Sequence, residues 1–308
     1  MTKKEKQKLT KLIFIIIISI IMALLGITFE EIEEIFNPVS SVINKITAEE
    51  SENIELIGED ILQIHFFDVG QADSILLISN NQTMLIDAGN NEDGDLIVSN
   101  IKNLGIEKLD YVIGTHSHED HIGGLDNVIL NFEIGTIYMP KVQTNTKTFE
   151  DVLDIVTSKN MKITSPKEGD KFKVGNAECE VMLAGIGSEE EQENLNLSSI
   201  VIRTTYKEQS YLFTGDCEKE NESSRNWMQT NVLKVAHHGS STSSSKEFLN
   251  QVLPQISIIS VGKDNEYGHP HNEIIDRLEE IGTLIYRTDE KGNILLESDG
   301  INNKISFY

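Results

Sequence analysis

The segment Thr115–Gly124 reads THSHEDHIGG and places three histidines and two carboxylates between His116 and His121. Imidazole nitrogens and carboxylate oxygens suit zinc, iron or manganese. His116 and His118 are alternate residues and can converge on one ion. Asp120 and His121 sit past the turn and can reach a second. The competing reading, a charged surface loop with incidental histidines, leaves this spacing unexplained. Further imidazoles follow in His237-His238 and in His269-Pro270-His271. Structural metal sites are usually closed by four ligands, whereas this pattern offers ligands for two open ions. Such ions generate a hydroxide nucleophile near neutral pH, so the chemistry implied is hydrolysis without a serine or cysteine nucleophile.

These residues need rigid elements to present them. Leu109–Thr115 (LDYVIGT) predicts a buried strand that delivers His116 at its C-terminal end. Gly124–Phe132 predicts the helix behind it. Upstream, Ile61–Val69 reads as a strand, and Ser74–Ser79 with Gln82–Asp87 as a hairpin about Asn80-Asn81. Asp95–Leu104 predicts a helix ended by Gly105. Ile134–Met139 is a strand and Thr148–Lys159 an amphipathic helix. In the second half, Lys171–Leu183, Ser199–Tyr206 and Ser210–Thr214 are strands and Lys219–Met228 is a helix. Val232–Ala236, Phe248–Leu253, Ile256–Val261 and Glu273–Ile281 alternate strand and helix. Leu284–Arg287, Ile294–Glu297 and Lys304–Phe307 close the chain as strands. Two similar halves of mixed strands and helices fit two sheets packed face to face with helices outside.

Composition narrows the class. The chain has 308 residues, of which 39% are hydrophobic and 25% charged, as in globular proteins. Net charge is −24, from 50 acidic and 26 basic residues, which argues against passive binding of nucleic acid. A nuclease whose metals supply local positive charge stays open. Cys179 and Cys217 form no Cys-x-x-Cys pair and are expected to be free, buried thiols. Leu12–Phe29 is an uncharged apolar run long enough to span a membrane. Lysines precede it and Glu30, Glu31, Glu33 and Glu34 follow. Residues 1–29 therefore predict a signal anchor with the C-terminal part outside the cell, and a cleaved signal peptide is the alternative. Residues 30–59 predict a stalk, and 60–308 the globular domain.

His116-x-His118-x-Asp120-His121 resembles the signature of the metallo-β-lactamase superfamily. The surrounding stretches narrow the resemblance. They are Phe67-Asp68-Val69-Gly70-Gln71-Ala72-Asp73-Ser74, Leu85-Ile86-Asp87-Ala88-Gly89, Phe213-Thr214-Gly215-Asp216, His237-His238-Gly239-Ser240 and Tyr267-Gly268-His269-Pro270-His271. In this order, over about residues 61–308, they are similar to the hydrolase domain of the ComEC family of DNA-uptake proteins. One predicted anchor stands where that family has a multi-span channel.

The resemblance implies an α/β fold, the four-layer αββα sandwich, and two divalent ions, zinc or manganese. It puts His116 and His118 on the first ion and Asp120 and His121 on the second. Asp216 would be the bridging carboxylate. Its other reading is a helix N-cap ahead of Cys217-Glu218-Lys219. His269 would complete the second ion, with His271 as competitor at an expected helix cap. Of His237 and His238, one would face the metals and the other a substrate phosphate. Asp120, His237, His238 and Asp73 are the implied catalytic set. Asp87 is suited to accept the second N–H of a metal-bound imidazole, and Asp68 to form a turn. No histidine lies between His121 and His237, where the superfamily usually has one. Asn194, Asn196, Ser198 and Ser199 occupy that region, so His237 is available to complete the first ion, or one ion alone is held. Ser240–Ser245 reads either as hydroxyls and amides for an anionic substrate or as a flexible loop. The expected activity is phosphodiester hydrolysis, with DNA as a substrate outside the cell. Alternatives are another ester (phosphorylcholine, a nucleotide, a lactone or lactam) and a non-catalytic metal-binding module.

Overall fold

The computed structural model describes residues 60–308 other than 143. The predicted anchor and stalk lie outside the described residues. Among those described, no helix is long and apolar enough to cross a membrane.

The chain begins with β1 (Leu62–Phe66), β2 (Ile75–Ser79), β3 (Gln82–Ile86), α1 (Gly94–Asn103), β4 (Lys108–Ile113), α2 (Glu119–Ile122), α3 (Leu125–Asn131), β5 (Glu133–Tyr138), α4 (Lys147–Ser158) and β6 (Ile163–Thr164). It continues with β7 (Lys171–Val174), β8 (Ala177–Leu183), α5 (Glu189–Glu193), β9 (Val201–Tyr206), β10 (Gln209–Phe213), α6 (Lys219–Ser223), β11 (Val232–Lys234) and α7 (Lys246–Val252). The last elements are β12 (Ile256–Ile259), α8 (Asn272–Glu280), β13 (Leu284–Arg287), α9 (Thr288–Lys291), β14 (Ile294–Ser298) and β15 (Asn303–Phe307). An eight-stranded sheet has the order β15-β14-β1-β2-β3-β4-β5-β6, and a seven-stranded sheet the order β13-β12-β11-β10-β9-β8-β7.

Side-chain alternation along the strands builds the layers. Leu62, Ile64, Phe66, Met84 and Ile86 of the first sheet meet Ile202, Tyr211, Phe213, Val232 and Ile258 of the second in one buried core. The intervening Leu76, Leu85 and Val112 face outward under α1, α3 and α4. Leu212, Leu233 and Ile259 do the same under α7 and α8. At the centre of each sheet both faces are covered, which is why β2 and β12 read as near-continuous apolar runs, whereas β7 and β8 alternate buried or half-buried apolar residues with charged ones. The expected αββα arrangement of two sheets between helices is observed.

Local sequence fixes the ends of the elements. Asn80 and Asn81 both have positive φ, 46° and 61°, which closes the β2–β3 hairpin with the twist its strands need. Thr146 caps α4 by accepting the Phe149 amide at 3.3 Å. Phe149, Val152 and Val156 then lie on one helical stripe against the first sheet. Burying each is worth about 1.5–3 kcal/mol, so Val152→Asp would unseat the helix.

One predicted helix is shorter than expected. Lys219–Met228 is helical only to Ser223. The Trp227 indole N–H donates to the Glu222 carbonyl at 2.8 Å, taking an acceptor that helix continuation would need. Burial of Trp227 against Phe248 draws the chain off the helix axis. The two cysteines are free and lie in different cores, Cys179 between the sheets and Cys217 under the second helical layer. Burial pushes the Cys179 thiol up to about 12 and Cys217 upward as well.

Candidate metal centre

β4 ends at Ile113, and the next residues carry His116, His118, Asp120 and His121 into α2. His116 and His121 are fully buried, and the Asp120 side chain is 31% exposed at the mouth. The turn is tight because Gly123 lies against the Asn90 backbone: a Cβ there would sit 2.2 Å from the Asn90 carbonyl carbon. Asp216 arrives from the end of β10, with its amide donating to Ser199 Oγ at 3.2 Å. It precedes α6, but Glu218 is the residue at that helix's N-cap.

The second sheet supplies two imidazoles by an unusual backbone. His237 and His238 have φ of 50° and 52°, and Gly239 follows at 83°. Consecutive residues on an extended strand would point to opposite faces. The left-handed pair instead brings both imidazoles into one pocket, with His118, Glu119, Asp120 and Asp216. L-residues other than glycine pay about 1–2 kcal/mol each for this conformation, and such strain gathers at functional sites.

Ligand atoms of Asp120, His121, Asp216 and His238 lie within 4.8 Å of one another. Asp216 stands between two groups. Its Oδ1 is 3.2 Å from His121 Nε2. Its Oδ2 is 3.9 Å from His116 Nε2, 3.7 Å from His237 Nε2 and 3.8 Å from His238 Nε2. His116 Nε2 and His118 Nδ1 are 2.9 Å apart. His238 Nε2 is 3.2 Å from Asp120 Oδ2.

The residues fit a divalent cation. His121 Nε2 and Asp216 Oδ1 are buried and face each other at 3.2 Å, and neither makes a well-formed hydrogen bond to any group. An unsatisfied donor–acceptor set of this kind is costly unless an ion takes the lone pairs. Two nitrogens on one tetrahedral zinc stand roughly 3.3 Å apart, close to the His116–His118 separation. The far nitrogens are also anchored. His121 Nδ1 lies 2.8 Å from Asp87 Oδ2, and Thr115 donates its amide and hydroxyl to the same carboxylate at 2.7 and 2.8 Å. His238 Nδ1 donates to the Ser260 carbonyl at 2.9 Å. His237 Nδ1 faces Thr242 Oγ1 at 3.0 Å and Glu218 Oε1 at 3.4 Å. Asn194 and Asn196 donate to Glu218 at 2.7 and 3.2 Å.

Charges follow from these contacts. Burial, with the neighbouring His121 charge, drives His116 well below the ordinary histidine range, so its lone pairs are available. Burial pulls His121 the same way, but the carboxylates of Asp216, Asp87 and Asp120 outweigh it and hold His121 well above that range. Burial raises Asp216, but His121, His238 and His237 outweigh it and leave the carboxyl well below its usual value. Without metal the cluster is thus held by protons that a divalent cation would displace.

Other expected residues fall elsewhere. His269 lines the same pocket but stands outside the four-residue group, with Nδ1 3.3 Å from Gln71 Nε2. Burial pulls it down to about 4. His271 is at the N-cap of α8, where its Nδ1 accepts the Ser241 amide at 2.9 Å. Asp73 is buried behind the pocket and its carboxylate is 2.6 Å from Lys234 Nζ. Asp68 accepts the Gly70 amide at 3.3 Å, a turn contact. The serine run is a tied turn rather than a flexible loop: Glu222 accepts the Ser244 and Ser245 amides, and Ser243 Oγ donates to the Ala236 carbonyl at 2.9 Å. Those amides are therefore committed within the fold. Lys234, Glu218 and Glu222 were not singled out from sequence. A lysine inside the apolar run VLKVA was the available signal, since a buried charge needs a partner.

Beside the metal pocket runs a groove of about 770 Å³, lined by Asp68, Glu92, Asp93, Glu119, Asp120 and Tyr267 among others. No lysine or arginine is on its lining.

Two mixed sheets between helices, with a histidine–aspartate cluster at the strand ends, define a class of metal-binding hydrolase folds. Residues 67–263 match the metallo-beta-lactamase superfamily, and the chain belongs to that superfamily. It is similar to ComE operon protein 3 of Bacillus subtilis, at 29% identity over 75% of this chain and 32% of that protein. It is also similar to competence protein ComA of Neisseria gonorrhoeae, at 27% identity over 77% of this chain and 32% of ComA. The chain thus spans about a third of the length of these relatives. Among solved structures, the metallo-beta-lactamase fold protein YhfI of Bacillus subtilis matches with a TM-score of 0.52 and 12% identity, over 78% of this chain and 100% of that one. That match concerns the fold alone.

Proposed function

We propose that the chain is a metal-dependent phosphodiesterase that cleaves DNA at the outer face of a membrane, anchored by its apolar N-terminal segment. One observation carries this: Asp120, His121, Asp216 and His238 bring four ligand atoms within 4.8 Å of one another, and Asp216 turns Oδ2 toward His116 and His237 as well, at 3.9 and 3.7 Å. On this reading Asp120, His121, Asp216 and His238 would hold a divalent cation, and His116, His118 and His237, beside the same Asp216, would hold a second. A bound divalent cation supplies Lewis acidity and draws a nucleophile from water at neutral pH. The protein's own residues orient that chemistry. Asp87 and the Ser260 carbonyl fix the rings of His121 and His238. His269, at the pocket wall, is placed to meet a phosphoryl oxygen or assist a leaving group. The resemblance of the motifs to the ComEC family of DNA-uptake proteins, to which the similarity to competence protein ComA adds, supports DNA as the substrate.

A second reading has an observation of its own. The acidic groove with Tyr267 at its edge suits a cationic group, so an ester such as phosphorylcholine matches it better than a polyanion. The test uses the full chain loaded with Mn²⁺ or Zn²⁺, against bis-p-nitrophenyl phosphate, single-stranded and duplex DNA, a phosphorylcholine ester and a β-lactam. Phosphodiester turnover lost in Asp120→Asn and Asp216→Asn supports the proposal. Turnover that survives both changes, or none on any phosphodiester with metal bound, overturns it.

A further inference from the structure

The layer behind the metal pocket contains a second cluster with the composition of a cation site. Asp73, Asp87 and His121 offer three buried ligand atoms within 4.8 Å of one another. It differs from the first cluster because one of its carboxylates, Asp73, is already paired with a side-chain cation. Lys234 ends β11 on the strand face that lines the inter-sheet core, and its Nζ lies 2.6 Å from Asp73 Oδ2. The two side chains are 0% and 1% exposed. Nζ also donates to the Val235 carbonyl at 3.1 Å. Among the described residues, Lys234 is the sole buried lysine or arginine.

Stability alone explains this poorly. A buried ion pair commonly stabilises no more than well-packed apolar residues of the same volume, and methionine would fit an apolar strand. Position explains it better. Asp73 belongs to the loops that build the metal pocket: its amide donates to the Asp120 carbonyl at 3.0 Å and its carbonyl accepts the Gly89 amide at 2.9 Å. Its second oxygen, Oδ1, lacks a hydrogen-bond partner and lies 3.6 Å from His238 Nδ1. His121 is shared between the two clusters, with Nδ1 toward Asp87 and Nε2 toward the pocket. An ion on the Nδ1 side would compete with Asp87 for that imidazole.

We infer that Lys234 is a built-in cation: its ammonium neutralises Asp73, denies that carboxylate of the Asp73–Asp87–His121 cluster to a metal, and confines divalent ions to the pocket side of His121. Lys234 is a positioning residue, acting through Asp73 and touching neither substrate nor metal. This rests on the metal-site reading above.

The test counts metal rather than activity. The full chain is stripped with a chelator and dialysed against Mn²⁺, bound manganese is measured by elemental analysis, and Tm is recorded with and without Mn²⁺. Lys234→Met is expected to lower the metal-free Tm by roughly 10 °C. It should bind one more Mn²⁺ per chain than the wild type and regain most of the lost Tm when Mn²⁺ is added. Lys234→Arg keeps the wild-type count, because a guanidinium still supplies the charge. Lys234→Met with Asp73→Asn returns to the wild-type count, because the stranded carboxylate is gone. If Lys234→Met is unfolded without metal, recovery of the fold on adding Mn²⁺ supports the inference and failure to recover opposes it. An unchanged count in Lys234→Met, with no Mn²⁺-dependent recovery, overturns it. A wild-type chain that takes up no Mn²⁺ sinks the metal-site reading instead.

Discussion

Asp87 accepts from His121 across 2.8 Å, so the imidazole is pinned at Nδ1 and presents Nε2 to the pocket. Asp87 is itself pinned by the amide and hydroxyl of Thr115, the residue next to the first metal-motif histidine. One buried carboxylate thus couples the orientation of His121 to the end of β4.

Removing that hold should loosen the metal without deleting a ligand. Asp87→Asn is expected to weaken Mn²⁺ or Zn²⁺ binding about 10–100-fold. Competition against a chelating dye measures it. Affinity equal to wild type would remove Asp87 from the site's support.

The left-handed pair His237-His238 sets stability against function. Glycine adopts φ near +50° without the steric cost, so His237→Gly should raise the metal-free Tm by roughly 2–4 °C. The same change deletes an imidazole 3.7 Å from Asp216 and should weaken metal binding at least about tenfold. Calorimetry with and without Mn²⁺ reads both effects. A metal-free Tm no higher than that of His237→Ala, which loses the same imidazole contacts, would mean that the backbone is not strained there.

Acid sensitivity should trace in part to His65. Burial holds this imidazole down to about 4, below the unfolded value of 6.5. The neutral ring is the folded form, so its stability is complete above pH 6.5 and is lost as pH falls through 6.5 toward 4. At pH 4.5 the loss is about 2–3 kcal/mol. His65→Phe keeps a ring beside Phe67 and should flatten this slope in urea unfolding at pH 7 and 4.5. A slope identical to wild type would assign the acid sensitivity to other groups.

The acidic groove separates the two substrate readings. Glu92→Gln and Glu119→Gln each remove a negative charge from its wall. Each should raise kcat/KM on single-stranded DNA about threefold, and the gain should shrink in high salt. A quaternary-ammonium ester should respond the opposite way. An unchanged rate on both substrates would place neither in the groove.

The fold and much of the cluster were legible because their signals are local. Alternating and continuous apolar runs gave the strands, and Asn80-Asn81 gave the hairpin turn. The motif around His116 is short and contiguous. What escaped was set by geometry beyond the local chain. The shortening of the helix at Ser223 depends on where Trp227 finds its core. His238 joins Asp120, His121 and Asp216 because of a backbone conformation that its sequence does not announce. His269, which the resemblance to the superfamily makes a ligand of the second ion, lines the same pocket with Nδ1 turned toward Gln71. Glu218 was hidden because its partners, Asn194 and Asn196, lie a whole hairpin away.

The ligand group draws Asp120 and His121 from the first sheet, and Asp216 and His238 from the second. A cation held there is a clasp between the two halves of the sandwich. Opening either half must first release it, so binding stabilises the closed form by about 2.7 kcal/mol when free metal is a hundred times its Kd. Protease resistance should therefore rise and fall with the divalent-ion content of the surroundings, making the supply of metal a regulator of how long the protein lasts.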